Sequence, residues 1–272
     1  MLTALLPVLL MQVGIAPTAS PISDLPPELR DRPPRSDVVS ERPRAATALD
    51  TCLATARSSP AKARALAEEW VSRTTGAQRA AGRHCLGVAA GNEGDWETAT
   101  GAFLAARDEV SEPRFRARMA SLAGSAALAD GDAQAALSAL DAGTPDAAGD
   151  AELTGAIALD RATALVALGR EAEAAAALAE ARAAVPQDPQ AWLLSATLSR
   201  RTGDLAAAQA HIEQAAAIDP RDPAIGLEAG VIAALGGRDE AARKSFESVV
   251  AAAPDTPQGA AARQYLAQLS GA

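Results

Sequence analysis

Residues 189–222 read PQAWLLSATLSRRTGDLAAAQAHIEQAAAIDPRD, and residues 223–256 read PAIGLEAGVIAALGGRDEAARKSFESVVAAAPDT. Both segments are 34 residues long and align without a gap. A third copy precedes them, because Gly169, Gly203 and Gly237 follow one another at the same spacing. A repeat of this length is typical of two-helix units that stack side by side into a superhelix. The period therefore predicts an all-α fold.

The residues that recur have simple physical roles. Two antiparallel helices approach closely only where side chains are small, so recurring alanines mark the crossing points. We expect the glycines to end the first helices in the left-handed conformation and the prolines to end the second. Asp188, Asp219 and Asp222 are predicted to cap helix N-termini. The recurring positions hold Ala174, Ala208 and Ala242; Leu178, Ile212 and Phe246; and Pro186, Pro220 and Pro254.

The pattern resembles the tetratricopeptide repeat family. In the copy that starts at Pro189, the family's consensus positions hold Trp192, Ala208, Ile212, Ala215 and Pro220. The resemblance implies a right-handed α-solenoid of antiparallel helix pairs, with regular repeats at 155–188, 189–222 and 223–256 and a C-terminal capping helix.

Weaker copies extend the array towards the N-terminus. They begin near Ala80 and near Ala117, and a further helix pair is predicted from 45 to 73. Residues 142–150 are an insertion rich in Gly, Pro and Asp, which could bend the array between two parts. Residues 259–269 are predicted to form the amphipathic capping helix.

The first 44 residues differ from the repeats. Residues 1–20 resemble a secretory signal peptide, because an apolar, uncharged run from Leu2 to Ala16 is followed by small residues. Residues 21–44 are rich in proline and charge, which predicts a disordered linker before a repeat domain at 45–269. We expect export to the periplasm or cell envelope. The alternative is an apolar N-terminal helix on a cytoplasmic protein.

Two cysteines, Cys52 and Cys85, occupy equivalent places on the first helices of consecutive pairs. Adjacent first helices touch, so a disulfide between them is predicted in an oxidising compartment. The alternative is a pair of buried thiols that act as small apolar residues. His84 stands beside Cys85, but the three residues match no zinc-binding pattern, and no metal site is expected.

Composition and motifs exclude several classes of function. A net charge of −9 and a pI near 4.8 argue against nucleic acid or an anionic membrane as the partner. No nucleophile elbow, HExxH motif or phosphate-binding glycine loop is present, so we expect no enzyme activity, no cofactor and no small-molecule substrate. A membrane contact is expected only through an uncleaved N-terminal segment. Another protein is therefore the expected partner.

The resemblance also implies a binding surface. In this family the concave groove is lined by the second, fifth, ninth and twelfth positions of each first helix. Members that clamp the acidic C-terminus of chaperones have Lys and Asn where Leu159 and Thr163 stand here, so that activity is not expected. The predicted groove residues are His84, Val88, Arg118, Ser121, Ser125, Leu159, Thr163, Val166, Gln190, Leu193, Thr197, Arg200, Leu227 and Val231.

The lining is mostly apolar, which suits an amphipathic helix or an extended peptide. The alternative is that leucines such as Leu159, Leu193 and Leu227 pack inside a tight superhelix. Two functions remain open. One is an exported, non-catalytic adaptor that binds a partner protein. The other is a cytosolic repeat protein that regulates a partner or oligomerises.

Overall fold

The computed structural model describes residues 47–271, so the predicted signal peptide and linker lie outside the described residues. Within this part of the chain there are thirteen α-helices, one short 3₁₀ helix at Pro145–Ala147 and no β-strand, which confirms the expected all-α fold. The helices are α1 (Ala48–Ser58), α2 (Pro60–Arg73), α3 (Gly76–Glu93), α4 (Trp96–Asp108), α5 (Pro113–Asp130), α6 (Ala133–Gly143), α7 (Ala151–Ala167), α8 (Glu171–Ala184), α9 (Pro189–Arg201), α10 (Leu205–Ile218), α11 (Pro223–Leu235), α12 (Asp239–Ala252) and α13 (Pro257–Gly271).

The helices pack as six antiparallel pairs, from α1–α2 to α11–α12, and α13 packs on the last pair. One to three residues join the helices within each pair, and so short a connection forces the second helix back along the first. The second helices α8, α10 and α12 begin 34 residues apart, at Glu171, Leu205 and Asp239. The three glycines before them adopt the predicted left-handed conformation, with φ of 71°, 87° and 69° at Gly169, Gly203 and Gly237.

Asp-Pro pairs start two of the first helices. The side chains of Asp188 and Asp222 accept hydrogen bonds, at 2.9 and 2.7 Å, from the backbone N–H two residues on. Helices α9 and α11 begin at the prolines that follow, as predicted. Asp219 does not cap a helix N-terminus. It follows the last residue of α10 and accepts a hydrogen bond from the backbone N–H of Arg221 at 3.1 Å, which shapes the turn instead.

Three first helices are one turn longer than the sequence predicts. Helices α3, α5 and α7 begin at Gly76, Pro113 and Ala151, four residues before the predicted starts at 80, 117 and 155. These three helices have no Asp-Pro pair at the predicted start, so no residue there marks the beginning of the helix. Instead, Asp150 caps α7 by accepting a hydrogen bond from the backbone N–H of Leu153 at 3.1 Å.

The core consists of close crossings within each pair. A small residue of the first helix faces a large apolar residue sixteen positions later in the second, and a Cβ atom added at Gly87 would lie 2.6 Å from the ring of Phe103. Such a distance is shorter than any ordinary contact, so only glycine fits there. The glycine crossings are Gly87–Phe103, Gly124–Leu140 and Gly230–Phe246, and Ala162 and Ala196 share hydrophobic clusters with Leu178 and Ile212 at the same spacing.

A disulfide joins the first two helix pairs. Cys52 on α1 is bonded to Cys85 on α3, with 6.1 Å between the Cα atoms, and no free cysteine remains in the described part of the chain. Both residues are buried among alanines such as Ala56 and Ala89. The small neighbours allow the two first helices to approach closely enough for the bond, as the sequence predicted.

An aromatic cluster fills the junction between the second and third pairs. The ring of His84 on α3 lies 6.2 Å from Phe103 and 6.4 Å from Phe115 and is only 7% exposed. Its Nδ1 atom makes no hydrogen bond to the described residues. Burial, with a smaller contribution from the positive charge of Arg118, lowers the pKa of His84 from 6.5 to about 4. The imidazole is therefore neutral at pH 7.

The first prediction compares two glycines of the same helix pair. Gly87→Ala should lower the midpoint of thermal unfolding, because overpacking against Phe103 costs about 1–3 kcal/mol and outweighs a helix-propensity gain of about 1 kcal/mol. Gly101→Ala on α4 is the control, since a Cβ there meets nothing within 4 Å. That variant should raise the midpoint. A rise in both would mean that Phe103 moves aside and that the crossing tolerates a side chain.

The second prediction concerns pH. Between pH 6.5 and about 4 the unfolded chain protonates His84 and the folded chain does not, so stability falls as the pH falls through this window. His84→Leu removes the titrating group, and chemical unfolding at pH 7 and pH 4.5 should show a smaller loss for the variant, by up to about 3 kcal/mol. Equal losses in the two proteins would show that folding does not lower the pKa of His84.

Candidate functional site

The predicted groove residues all lie on first helices, namely α3, α5, α7, α9 and α11. Their exposure differs. Arg118, Ser125, Thr163 and Gln190 are exposed, and most of the others are half-buried. His84 and Leu193 are 7% and 8% exposed, so these two side chains belong to the core rather than to an open surface. For His84 the reason is the aromatic cluster, and for Leu193 it is packing within the hydrophobic cluster between α9 and α11.

The first helices are not equally close along the array. Their backbones come into close contact at the α1–α3, α5–α7 and α9–α11 junctions, but hardly at α3–α5 and α7–α9. At α3–α5 the aromatic cluster occupies the space between the helices. At α7–α9 the space is open, and it forms a cleft of about 120 Å³.

This cleft, called the groove cleft below, unites three of the predicted residues. Thr163 and Val166 of α7 face Thr197 of α9 across it. Leu178 and Leu198 lie deeper in the core and form its apolar floor. The arrangement can hold an apolar side chain, with hydroxyl groups at the rim for hydrogen bonds. The remaining lining residues are Ala162, Leu194 and Arg201.

The repeat pattern did not predict two further residues of α9 that line the groove cleft. Leu194 and Arg201 are one position beyond the predicted Leu193 and Arg200. Leu194 and Arg201 stand three residues before and four residues after Thr197, so they share its face of the helix. Only the spacing between α7 and α9, which the repeat pattern does not encode, could have revealed them.

Two of the predicted polar residues have partners on neighbouring repeats. The guanidinium of Arg200 forms a salt bridge with Glu228 of α11, with 2.6 Å between Nε and Oε1. The hydroxyl of Ser125 on α5 donates a hydrogen bond to Asp160 of α7 at 2.6 Å. Burial raises the pKa of Asp160, and the bond from Ser125 offsets part of this rise. These groups hold adjacent repeats together, so Arg200 is not a free cation for a partner.

A polar depression lies between α5 and α7, at the N-terminal ends of both helices. It measures about 310 Å³, and its lining includes Arg118 and Glu152. Across it, Arg114 forms a salt bridge with Asp150 at 2.8 Å. The predicted surface is therefore apolar at α7–α9 and charged at α5–α7.

Residues 47–271 hold no group of three or more His, Cys, Asp or Glu side chains arranged to bind a metal ion. In the same range no helix has the length and apolar composition that crossing a membrane requires.

Two models of the tetratricopeptide repeat family match the chain, over residues 159–223 and residues 200–269. A comparison with curated proteins gives no significant match.

Several solved structures are similar in fold. PilW, described as a widely conserved type IV pilus biogenesis factor, has a TM-score of 0.64 at 16% identity, and the match covers 77% of this chain and 94% of PilW. BtubC from P. vanneervenii has a TM-score of 0.57 at 19% identity, over 75% of this chain and 90% of BtubC.

YrrB, described as a tetratricopeptide repeat protein with an unusual peptide-binding site, has a TM-score of 0.52 at 17% identity. That match covers 67% of this chain and 91% of YrrB. At such low identity these likenesses establish the fold alone. The two family models identify residues 159–269 as tetratricopeptide repeats, and the helix pairs that precede this segment share the same fold.

Proposed function

We propose that the protein is a non-catalytic scaffold that binds a segment of another protein in the groove formed by its first helices. The observation that carries this proposal is the open, apolar groove cleft at the α7–α9 junction, where Thr163, Val166 and Thr197 meet. Repeat arrays of this kind use such concave surfaces for binding. YrrB, a structural neighbour, is described as having a peptide-binding site, which is consistent with this use of the fold.

The groove cleft favours a particular kind of partner. Its 120 Å³ equals the volume of about four waters, which is enough for an aliphatic anchor side chain but not for a folded surface. Burial of such an anchor contributes about 25 cal/mol per Å² before ordering costs. Arg201 at the rim favours an acidic group beside the anchor. The partner is therefore an amphipathic helix or an extended peptide with an apolar anchor.

The chain is proposed to act by binding alone. A net charge of −9 opposes nucleic acid as the partner. The groove cleft holds hydroxyl and apolar groups with Arg201 at the edge, and neither a nucleophile with a base nor a metal-binding set lines it. Neither a cofactor nor a small-molecule substrate is part of the proposal.

We place this function in the periplasm or cell envelope. The apolar run from Leu2 to Ala16 has the composition of a signal peptide. The bonded pair Cys52–Cys85 supports export, because disulfides persist in oxidising compartments. The alternative is a cytosolic scaffold that regulates a partner or oligomerises, and it requires reduced cysteines and an intact N-terminus.

The third prediction tests the groove by crosslinking in the cells that produce the protein. A photoreactive benzoylphenylalanine at Thr163 should crosslink to a discrete partner, because this exposed side chain borders the groove cleft. The control position is Ala176, which is exposed on the second helix α8 and should give no such product. Val166→Glu places a charge in the apolar cleft and should reduce the crosslink at least about tenfold, equivalent to about 1.4 kcal/mol.

The same product from Ala176, or a crosslink unaffected by Val166→Glu, would contradict binding in the groove. A lack of any crosslink at Thr163 would contradict it as well. Circular dichroism and thermal unfolding of the Val166→Glu variant establish that a lost crosslink does not reflect unfolding.

The fourth prediction tests export. Intact-mass analysis of the protein from its native cells should show loss of about 20 N-terminal residues, as expected for signal peptide cleavage. Cys52 and Cys85 should react with an alkylating agent only after reduction in denaturant. An intact Met1, together with two thiols that react as soon as the protein unfolds, would instead support the cytosolic alternative.

A further inference from the structure

A second cleft lies on the opposite side of the same junction, between the second helices α8 and α10. It encloses about 440 Å³ and is called the Arg182 cleft below. Ser195 and Ser199 of α9 line it, and at 100° per residue they point roughly 160° away from Thr197 of the groove cleft. Leu178 and Leu198 contribute to both clefts and separate them.

Arg182 lies in this cleft in a fixed position. Its guanidinium stacks 5.3 Å from the centre of the Trp192 ring, and its Nη1 donates a hydrogen bond to the hydroxyl of Ser195. Ser195 in turn donates to the carbonyl of Ala191 at 2.7 Å. Trp192 is itself held by a 2.9 Å hydrogen bond from its Nε1 to the carbonyl of Pro186. The guanidinium is thereby oriented, and its remaining N–H groups make no hydrogen bond to residues 47–271.

The charge on Arg182 has no counterion in the described part of the chain. Other arginines at helix junctions, such as Arg64 and Arg200, form salt bridges with acids of the next helix pair. The electrostatic surroundings of Arg182 include no such acid: burial alone lowers its pKa, without a carboxylate to raise it. The acid that lines the same cleft, Glu171, stands eleven residues earlier on α8, which is about 16 Å along the helix.

His211 lies beside Trp192 and adds no charge to the cleft. Its ring is 6.0 Å from that of Trp192, and its Nδ1 lies 3.4 Å from the hydroxyl of Ser199. Burial, and then the charge of Arg182, lower the pKa of His211, so the imidazole is neutral at pH 7. The end of the cleft around Arg182 thus presents one oriented cation together with neutral hydrogen-bonding groups, and Glu171 lies at the other end.

The next junction provides an internal comparison. A cleft of about 400 Å³ lies between α10 and α12, where the 34-residue register places the equivalent positions. Arg182, Trp192, Ser195 and His211 correspond there to Ala216, Gly226, Ala229 and Ser245, all of which line that cleft. The repeat therefore packs without a guanidinium, an indole or an imidazole at these places. The guanidinium of Arg182 is half-buried, the next repeat packs without it, and no acid of the described residues neutralises it, so it is available to pair with an anionic ligand.

We propose that the Arg182 cleft binds a carboxylate group of a partner polypeptide. A carboxylate matches the planar fork of an arginine and accepts two hydrogen bonds from it. The indole of Trp192 covers one face of the guanidinium, so a carboxylate can approach only the other face or the edge. The hydroxyl and imidazole groups of the cleft supply further contacts. This site differs from the groove, because it uses second helices and the opposite side of α9, and it does not depend on the function proposed for the groove.

The fifth prediction uses three short peptides as probes of the purified full chain. Acetyl-Ala-Ala-Ala with a free C-terminus presents a terminal carboxylate, acetyl-Ala-Glu-Ala-amide a side-chain carboxylate, and acetyl-Ala-Gln-Ala-amide none. Titration followed by NMR should give saturable shifts of the Trp192 indole N–H signal with at least one of the two charged peptides. The peptide that binds identifies the source of the carboxylate, and the uncharged peptide should cause no saturable shift.

Substitution of the cation should abolish this response. Arg182→Ala reproduces the residue of the next repeat and should still fold, but it should weaken binding at least about tenfold. Arg221→Ala is the matched control, since it removes one positive charge from an exposed turn and should leave the affinity unchanged. Shifts that persist in Arg182→Ala, equal shifts with the uncharged peptide, or no saturable shift with either charged peptide would overturn the proposal.

Discussion

The whole array depends on the close crossing of two helices at a residue that has almost no side chain. In each regular pair a glycine or alanine of the first helix receives a large apolar side chain from sixteen positions further on, as Gly230 receives Phe246. The crossing fixes the distance between the two helices. It also buries the large residue, since Phe246 is 1% exposed. Because dispersion and burial act only at short range, the pair is stable only when both partners keep their size.

The pairs are alike, but the junctions between them are not, and the candidate sites occur at a junction. Between α3 and α5 aromatic side chains fill the space, and a disulfide already ties α3 to α1. At the junction of α7 and α9, Leu178 and Leu198 separate two clefts that lie on opposite sides. The polar groups of that junction, Arg182 and His211, are larger than the alanine and serine at the next one. The α7–α9 junction therefore differs from the other junctions in its local packing and not in its repeat pattern.

The repeat pattern was sufficient to predict the fold, since it depends on residues that recur. The starts of α9 and α11 were predictable because Asp-Pro pairs mark them, whereas the earlier first helices extend by one turn that no such pair prevents. The candidate site was only partly predictable. Thr163, Val166 and Thr197 follow from the repeat register, but Leu194 and Arg201 depend on how far α7 stands from α9. The burial of His84 depends on rings contributed by two other helices, which a position within a repeat does not specify.

The disulfide also determines how the protein responds to a mechanical load. A pull on the chain that precedes Thr47 enters α1 and crosses from Cys52 directly to Cys85 on α3. The 33-residue separation between the two cysteines corresponds to roughly 110 Å of extended chain, and this length stays outside the path of the force. Helix α2 is therefore shielded, and the tension passes into the second helix pair while α2 stays folded. The bond thus makes the first two helix pairs one crosslinked attachment point, which extends less under load than two separate pairs would.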